Sequence, residues 1–283
     1  MEIVVCPLLS TKFHLRMLSY TPMKQSKDKK KNRSPLKSAP LRNPGQSLDE
    51  EIIRLLDDEV IPYLIVAMGF IGITLYEWFR WYTYSPPQPF LFTFVALIIT
   101  PYLVWKLANT REKLHALKLG RDGEKAVGQY LELLRESGYR VLNDIVSESF
   151  NVDHVLIGPA GVFTIETKTI SKPAVGEAII HYDCDALKIG GYTPERNPII
   201  QSKAQSSWVR GLIEEGTGRR YGVQPIVVYP GWFVKRSPEN AQCDVLVLNP
   251  KILPAFLGNA KDKLTSEDIR LIHFHLSRYV RTT

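Results

Sequence analysis

The runs VIPYLIVAMGFIGITLYEWF (60–79) and FLFTFVALIITPYLVWKL (90–107) constrain this chain more than anything else in it. Each is about long enough to cross a bilayer's hydrocarbon core as a helix, which takes roughly 20 residues. Glu77 is the only charge in the first run and Lys106 the only one in the second. Both are apolar around the whole helical circumference, whereas a helix of a soluble domain confines its apolar residues to one stripe. The connection RWYTYSPPQP is short. Trp78, Trp81, Tyr82 and Tyr84 cluster at one edge of the pair, with Tyr102 and Trp105 toward the other, the placement of interfacial aromatic belts. A transmembrane hairpin within residues 51–110 is the expectation.

Charge orients it. Lys24 to Arg42 precede the first span, and Lys106, Arg111, Lys113, Lys118 and Arg121 follow the second, while the connecting loop offers Arg80 alone. Both termini are therefore expected in the cytoplasm. Residues 1–50 carry ten Lys/Arg against four Asp/Glu and include the Lys-, Ser- and Pro-rich stretch KQSKDKKKNRSPLKSAPLRNPGQS, which buries too little apolar surface to fold alone. A basic, disordered arm is expected there. Its first residues, MEIVVCPLLSTKFHLRML, open with an acid and lack a long apolar core and a small-residue cleavage site, so they do not read as a signal peptide.

Beyond residue 120 the texture is that of a soluble α/β domain. Residues 120–257 hold fifteen Lys/Arg against sixteen Asp/Glu, which excludes nucleic-acid recognition through a strongly basic domain surface. Cys6, Cys184 and Cys243 are odd in number and widely spaced, without a zinc or CxxC pattern, and read as reduced cytosolic thiols. GRDGEKAVGQYLELLRESGY reads as a helix with an apolar stripe of Val127, Leu131 and Leu134, ended by Gly138. RVLNDIV, the hairpin NVDHVLIGPAGVFTIETK and the alternating pair in EAIIHYDCDALKIGG read as strands, as do VQPIVVYPGW and CDVLVLNP. NPIIQSKAQSSWVRGLIEE is a helix with Asn197 as its cap and Pro198 in its first turn. TSEDIRLIHFHLSRYV closes the chain as an amphipathic helix, within 258–283.

The hairpin at 151–168 poses the chemical question. With its turn on Pro159 and Ala160, Val162 faces Ile157, Thr164 faces Val155, and Glu166 faces Asp153. Directly opposed side chains lie about 4.5–5.5 Å apart at Cβ, where like charges repel. Lys168, two residues on, shares the face of Glu166. Two carboxylates forced together call for a cation or a shared proton, and oxygen ligands with an open position suit Mg²⁺ or Mn²⁺. A surface ion-pair cluster is the plain alternative. Two helices argue against it: Glu124 lies on the Val127–Leu131–Leu134 stripe, and Gln201 shares a face with Ala204, Gln205, Trp208 and Leu212. Buried polar groups of this kind need partners, and one shared site would satisfy them all.

The order helix–Glu, strand–Asp, strand–Glu-x-Lys, helix–Gln resembles the PD-(D/E)XK nuclease superfamily. More narrowly, GRDGEKAV, NVDHVLIGPAGVFTIETK, NPIIQSKAQ and IVVYPGW are similar to the nuclease-related domain (NERD) over roughly residues 118–236. The resemblance implies a restriction-endonuclease-like α/β fold, a mixed sheet flanked by helices in residues 111–257, preceded by the transmembrane hairpin. It implies that Asp153 and Glu166 hold a divalent metal, with Glu124 as an auxiliary ligand. Lys168 would orient the attacking water and stabilise charge on the phosphate, and Gln201 would position the group. DNA is favoured over RNA by the resemblance alone.

The other polar residues are weaker. His154 alternates to the opposite strand face and reads as core, and His273 and His275 are badly spaced for a metal on one helix. Arg219, Arg220, Lys235 and Arg236 are candidate nucleic-acid contacts against an equal reading as solvated loop charge. The expectation is a membrane-anchored, Mg²⁺- or Mn²⁺-dependent nuclease with a cytoplasmic domain, its partners nucleic acid and the lipid bilayer, and homo-oligomerisation left open. Its rival is a non-catalytic membrane module that binds nucleic acid or a protein through the same fold.

Overall fold

The computed structural model describes residues 39–84, 86, 89–173, 176–194, 196–236 and 243–282. The arm up to residue 38, with Cys6 and the start of the chain, lies outside the described residues.

Helix α1 (Gln46–Leu55) passes through one widened turn (Leu56–Val60) into α2 (Ile61–Tyr82). Helix α3 (Pro89–Glu132) is 44 residues long. The second apolar run and the helix expected from residue 120 are thus one continuous element, without a linker at residue 110. A tightened turn (Leu133–Ser137) then ends at Gly138, in the left-handed conformation. Two helices here are long and apolar enough to cross a membrane. Ile65, Met68 and Leu75 on α2 and Leu97 and Ile98 on α3 are exposed. At the base of the pair, the Thr110 hydroxyl donates to Glu59 at 3.0 Å.

The remaining elements are β1 (Arg140–Val146), β2 (Asn151–Gly158), β3 (Gly161–Thr167), β4 (Ile179–Asp183), β5 (Ala186–Ile189), α4 (Pro198–Thr217), β6 (Val223–Val228), β7 (Phe233–Arg236), β8 (Leu246–Leu248), α5 (Leu253–Gly258) and α6 (Ser266–Thr282). A five-stranded mixed sheet has the order β1-β2-β3-β6-β8. Its first three strands form an antiparallel meander, and β6 and β8 join in parallel. The hairpin register matches the expectation: Gly158 faces Gly161, Ile157 faces Val162, Val155 faces Thr164 and His154 faces Ile165. A second sheet, β5-β4-β7, includes a strand that the alternation pattern did not indicate, because Phe233–Arg236 is short and largely exposed.

Helices cover both faces of the main sheet. Val127 and Leu131 of α3, with Leu134 of the turn that follows it, pack with Leu156, Phe163, Ile165, Ile226 and Val228. Val209 and Ile213 of α4 and Ile269, Ile272 and Leu276 of α6 pack with Val155, Ile157 and Val162 on the other face. This is an α/β, nuclease-like architecture. Both caps read from sequence form: Asn197 accepts the Ile199 N–H at 3.0 Å, and Thr265 and Asp268 bond each other's backbone N–H at 3.2 Å. Edge-to-face contacts from Phe150 through Trp208 to Tyr279 seat α6 against α4.

The thiol expectation is corrected. Cys184, in the β4–β5 turn, and Cys243, just before β8 and 59 positions further along the chain, form a disulfide with their Cα atoms 5.0 Å apart. Sequence spacing hides the pair because the second sheet and the β8 approach meet only in the folded chain.

Ile213 is fully buried between α4 and the sheet. Truncation removes its packing and leaves a cavity, so Ile213→Ala should cost about 2–5 kcal/mol of stability, read by denaturant unfolding.

Candidate active site

The site lies where β3 ends. Glu166 on β3 is 3% exposed, so its carboxylate must be hydrogen-bonded. Lys168 Nζ approaches Oε1 at 2.5 Å, Gln201 Nε2 donates to Oε1 at 2.7 Å, and Gln205 Nε2 donates to Oε2 at 2.5 Å. The Gln201 carbonyl oxygen in turn accepts from Lys168 Nζ at 3.1 Å. The first two turns of α4 therefore face the last residues of β3, as the four-residue spacing of Gln201 and Gln205 on one helix face requires. Gln205 also donates to the Asn151 carbonyl at 2.8 Å.

Asp153 enters from β2. Its Oδ2 accepts the Thr167 N–H at 2.7 Å, which ties the start of β2 to the end of β3 beyond the last ladder pair. Glu124 comes from α3, whose close approach needs Gly123: a Cβ there would lie 1.6 Å from Thr169 Oγ1. A cleft of ≈ 390 Å³ is lined by Glu124, Asp153 and Gln201 together with Ser47, Leu48 and Asn151. The loop after Lys168 is pinned by Trp232, whose indole N–H donates to the Ile170 carbonyl at 3.0 Å. That contact gives the IVVYPGW stretch a structural task.

Electrostatics follow from burial. Burial first, then the charges of Asp144 and Glu166, raises Glu124 to about 7. Asp153 is pushed well above the usual carboxylate range, first by burial and then by Glu166 and Glu124. The sequence-expected group of Glu124, Asp153, Glu166, Lys168 and Gln201 thus gathers in one place. His154 is on the opposite face, fully buried, with Nδ1 2.9 Å from Asn143 Oδ1 and a pKa lowered to about 3 by burial.

The four expected nucleic-acid cations do not gather there. Arg219 and Arg220 follow the far end of α4, which lies about 24 Å along its axis from Gln201 at 1.5 Å per residue. They pair with Asp268 at 3.3 Å and Glu214 at 2.7 Å. Lys235 and Arg236 lie on β7 of the second sheet, and Arg236 donates to Cys243 Sγ at 3.2 Å. A run of basic residues in sequence does not report the end of a helix on which it falls.

Three residues of the site were missed or underused. Gln205 was visible as a face-mate of Gln201. Ser47 and Asp144 had no signal, because one lies in the arm and the other looks like an ordinary strand acid.

A mixed sheet with an Asp and a Glu-x-Lys converging at adjoining strand ends, and glutamines delivered by a helix, defines a nuclease-like module. Residues 119–230 match the family model of the nuclease-related domain, so the chain carries a domain of that family. No curated protein and no solved structure matches the chain.

Domains of this class usually use divalent metals. Among the described residues no group of three or more His, Cys, Asp or Glu side chains is close enough to hold a metal ion. The donor set still fits one. Three carboxylates face a single ammonium, and two of them are held toward protonation first by burial and then by neighbouring carboxylates. Mg²⁺ in particular takes one or two carboxylates and keeps several waters, so a tight three-carboxylate cage is not required.

These raised values set a pH dependence for the metal-free protein. Glu124 binds its proton more tightly in the folded state than in the unfolded one, where the ordinary value is 4.5. Its contribution to stability is fully present below about 4.5 and is lost as pH rises through about 7. In chelator, the melting temperature should fall across that window, and Glu124→Gln should flatten the fall. An unchanged slope in the variant would show that another group carries it.

Proposed function

We propose that this chain is a membrane-anchored, metal-dependent nuclease that hydrolyses phosphodiester bonds, DNA rather than RNA. The observation that carries the reading is a cleft lined by Glu124, Asp153 and Gln201, with Gln201 bonded to both Glu166 and Lys168 and both oxygens of Glu166 held in place. On this reading Asp153 and Glu166 hold Mg²⁺ or Mn²⁺, with Glu124 as a further oxygen ligand. When bound, the ion lowers the pKa of water and neutralises phosphate charge. Lys168, bonded to Glu166 and Gln201, directs fixed positive potential at the phosphate and orients the attacking water. Gln201 and Gln205 fix the rotation of the Glu166 carboxylate, so that its lone pairs are aimed before substrate arrives.

The two apolar helices would span the bilayer, with the domain of residues 111–257 and both termini on the cytoplasmic side, following the flanking cations. The Cys184–Cys243 disulfide favours an oxidising compartment instead. Reporter fusions at the N-terminus and after Thr283 decide between them: both should report cytoplasm, and an external signal at either end overturns this orientation.

A second reading has its own support. Glu166 is already satisfied by Lys168, Gln201 and Gln205, as a site kept for binding alone would be. Purified full-length protein in detergent should be offered plasmid, linear, single-stranded and RNA substrates with Mg²⁺, Mn²⁺ or chelator. On the nuclease reading, cleavage needs the metal and Glu166→Ala abolishes it. Lys168→Ala lowers kcat and kcat/KM together, by on the order of 100-fold, with KM little changed. Binding without cleavage under every metal supports the second reading, and cleavage that survives both substitutions assigns the activity elsewhere.

A further inference from the structure

The segment Leu41–Leu48, expected to belong to a disordered arm, lies along α3 beside the turn that carries Glu124. Its anchor is Asp144, which is 1% exposed and adopts φ 51, a left-handed conformation uncommon outside glycine. Arg42 Nε donates to Asp144 Oδ2 at 2.7 Å, the Ser47 N–H to the same oxygen at 2.9 Å, and the Ser47 hydroxyl to Oδ1 at 2.5 Å. Such a backbone conformation persists where surrounding contacts over-determine it, and these three contacts all come from one segment.

The segment and the start of α1 that continues it also grip α3 on both sides of Glu124. Asp49, in the first turn of α1, pairs with Arg121 at 3.3 Å and with Lys125 at 2.8 Å. Pro44 sits against Gly128, where a Cβ would lie 2.5 Å from Pro44 Cγ. Gly45, buried at φ 70, lies so close to Arg121 that a Cβ would meet its Cγ at 3.1 Å and its carbonyl oxygen at 3.3 Å. This packing sets the Gly45 backbone against Arg121, one helical turn before Glu124. Ser47 and Leu48 then line the cleft with Glu124, Asp153 and Gln201.

We propose that this segment is a positioning element of the active site. Arg42 and Ser47 lock onto Asp144, the lock seats Pro44 and Gly45 against α3, and residues preceding the apolar hairpin thereby fix the helical turn that presents Glu124 to the cleft. The inference rests on the metal-dependent nuclease reading. Groups that orient a ligand from behind typically change metal affinity 10- to 100-fold when removed. A segment that merely packs against the domain would change stability and leave metal affinity alone.

The test measures Mn²⁺ affinity by titration calorimetry on the full chain in detergent. Ser47→Ala removes one of Asp144's partners and keeps two. Gly128→Ala displaces Pro44 without touching a polar group, and alanine favours the helix by about 1 kcal/mol over glycine, so α3 itself is not weakened. Both substitutions should weaken Mn²⁺ on the order of 10-fold. They should raise the Mn²⁺ concentration that half-saturates cleavage by the same factor and leave the nucleic-acid KM unchanged. Ser47→Thr, which keeps the hydroxyl, should bind as wild type. Wild-type affinity in Ser47→Ala and Gly128→Ala, alongside weakened binding in Glu124→Ala, overturns the positioning role alone. Undiminished affinity in Glu124→Ala overturns it as well, because there would be no ligand to orient. Wild-type protein that binds no Mn²⁺ removes the metal-dependent reading, and this inference with it.

Discussion

A carboxylate at 3% exposure is stable in a fold only if its oxygens are hydrogen-bonded, and Glu166 meets that demand with donors from two elements. Lys168 comes from just past the end of the same strand, two residues on, while Gln201 and Gln205 come from α4. The requirement fixes how α4 must lie. Its N-terminal turns have to reach the end of β3, and once they do, Val209 and Ile213 further along the same helix fall over the sheet beside Val155, Ile157 and Val162. Packing and chemistry are therefore one constraint: the helix cannot slide a turn along the sheet without stranding a buried charge. Stranding it would cost several kcal/mol, more than most single packing defects.

Helix α3 carries a comparable double duty. Its apolar half, around Leu97 and Ile98, is exposed, and its far end buries Val127 and Leu131 against the sheet with Glu124 at the cleft. Glycine within a helix costs about 1 kcal/mol against alanine, yet this helix keeps Gly123 and Gly128. Each is matched by a backbone or side chain that stands where a Cβ would go, Thr169 in one case and Pro44 in the other. Close approach at two points of one helix explains how residues from three distant stretches of chain, the segment before the hairpin, α3 and the end of β3, come to share one cleft.

Much of this was legible in the sequence where local rules suffice. The two-residue turn at Pro159 and Ala160 set the pairing of the hairpin, because side-chain alternation leaves no freedom once one pair is fixed. Asn197 before Pro198 marked a helix start, since a side-chain acceptor there satisfies a backbone N–H that nothing else reaches. Convergence of Glu124 with Asp153 followed from a charge on an apolar stripe. What stayed hidden is non-local. Leu41–Ser47 is polar and proline-containing, so nothing in its own composition predicts order; its order comes from Asp144, some hundred residues away. The pairing of Cys184 with Cys243 and the strand β7 depend in the same way on a second sheet that no single stretch announces. Family resemblance carried the site residues further than the pattern could, but it could not say where Arg219 and Arg220 would fall, because their place depends on where α4 ends.

The geometry of α3 bears on how nucleic acid and a bilayer could coexist beside one site. From Leu107, the end of the apolar run, to Glu124 is about 25 Å of continuous helix at 1.5 Å per residue. An anionic membrane surface repels a polyanion, but at physiological salt that repulsion decays over about 8 Å. A site roughly three such lengths out along the helix is electrostatically outside the membrane's reach if the hairpin spans it, while still tied to it by a rigid element. Near-neutral charge over residues 120–257 means the domain does not attract nucleic acid strongly by itself. Under the proposed function, confinement beside a bilayer would do what a basic face does elsewhere, by raising the local concentration of nucleic acid that lies near the same surface. On the proposed reading, α3 and its docking by Asp49 and Pro44 would set the distance between the candidate site and the bilayer.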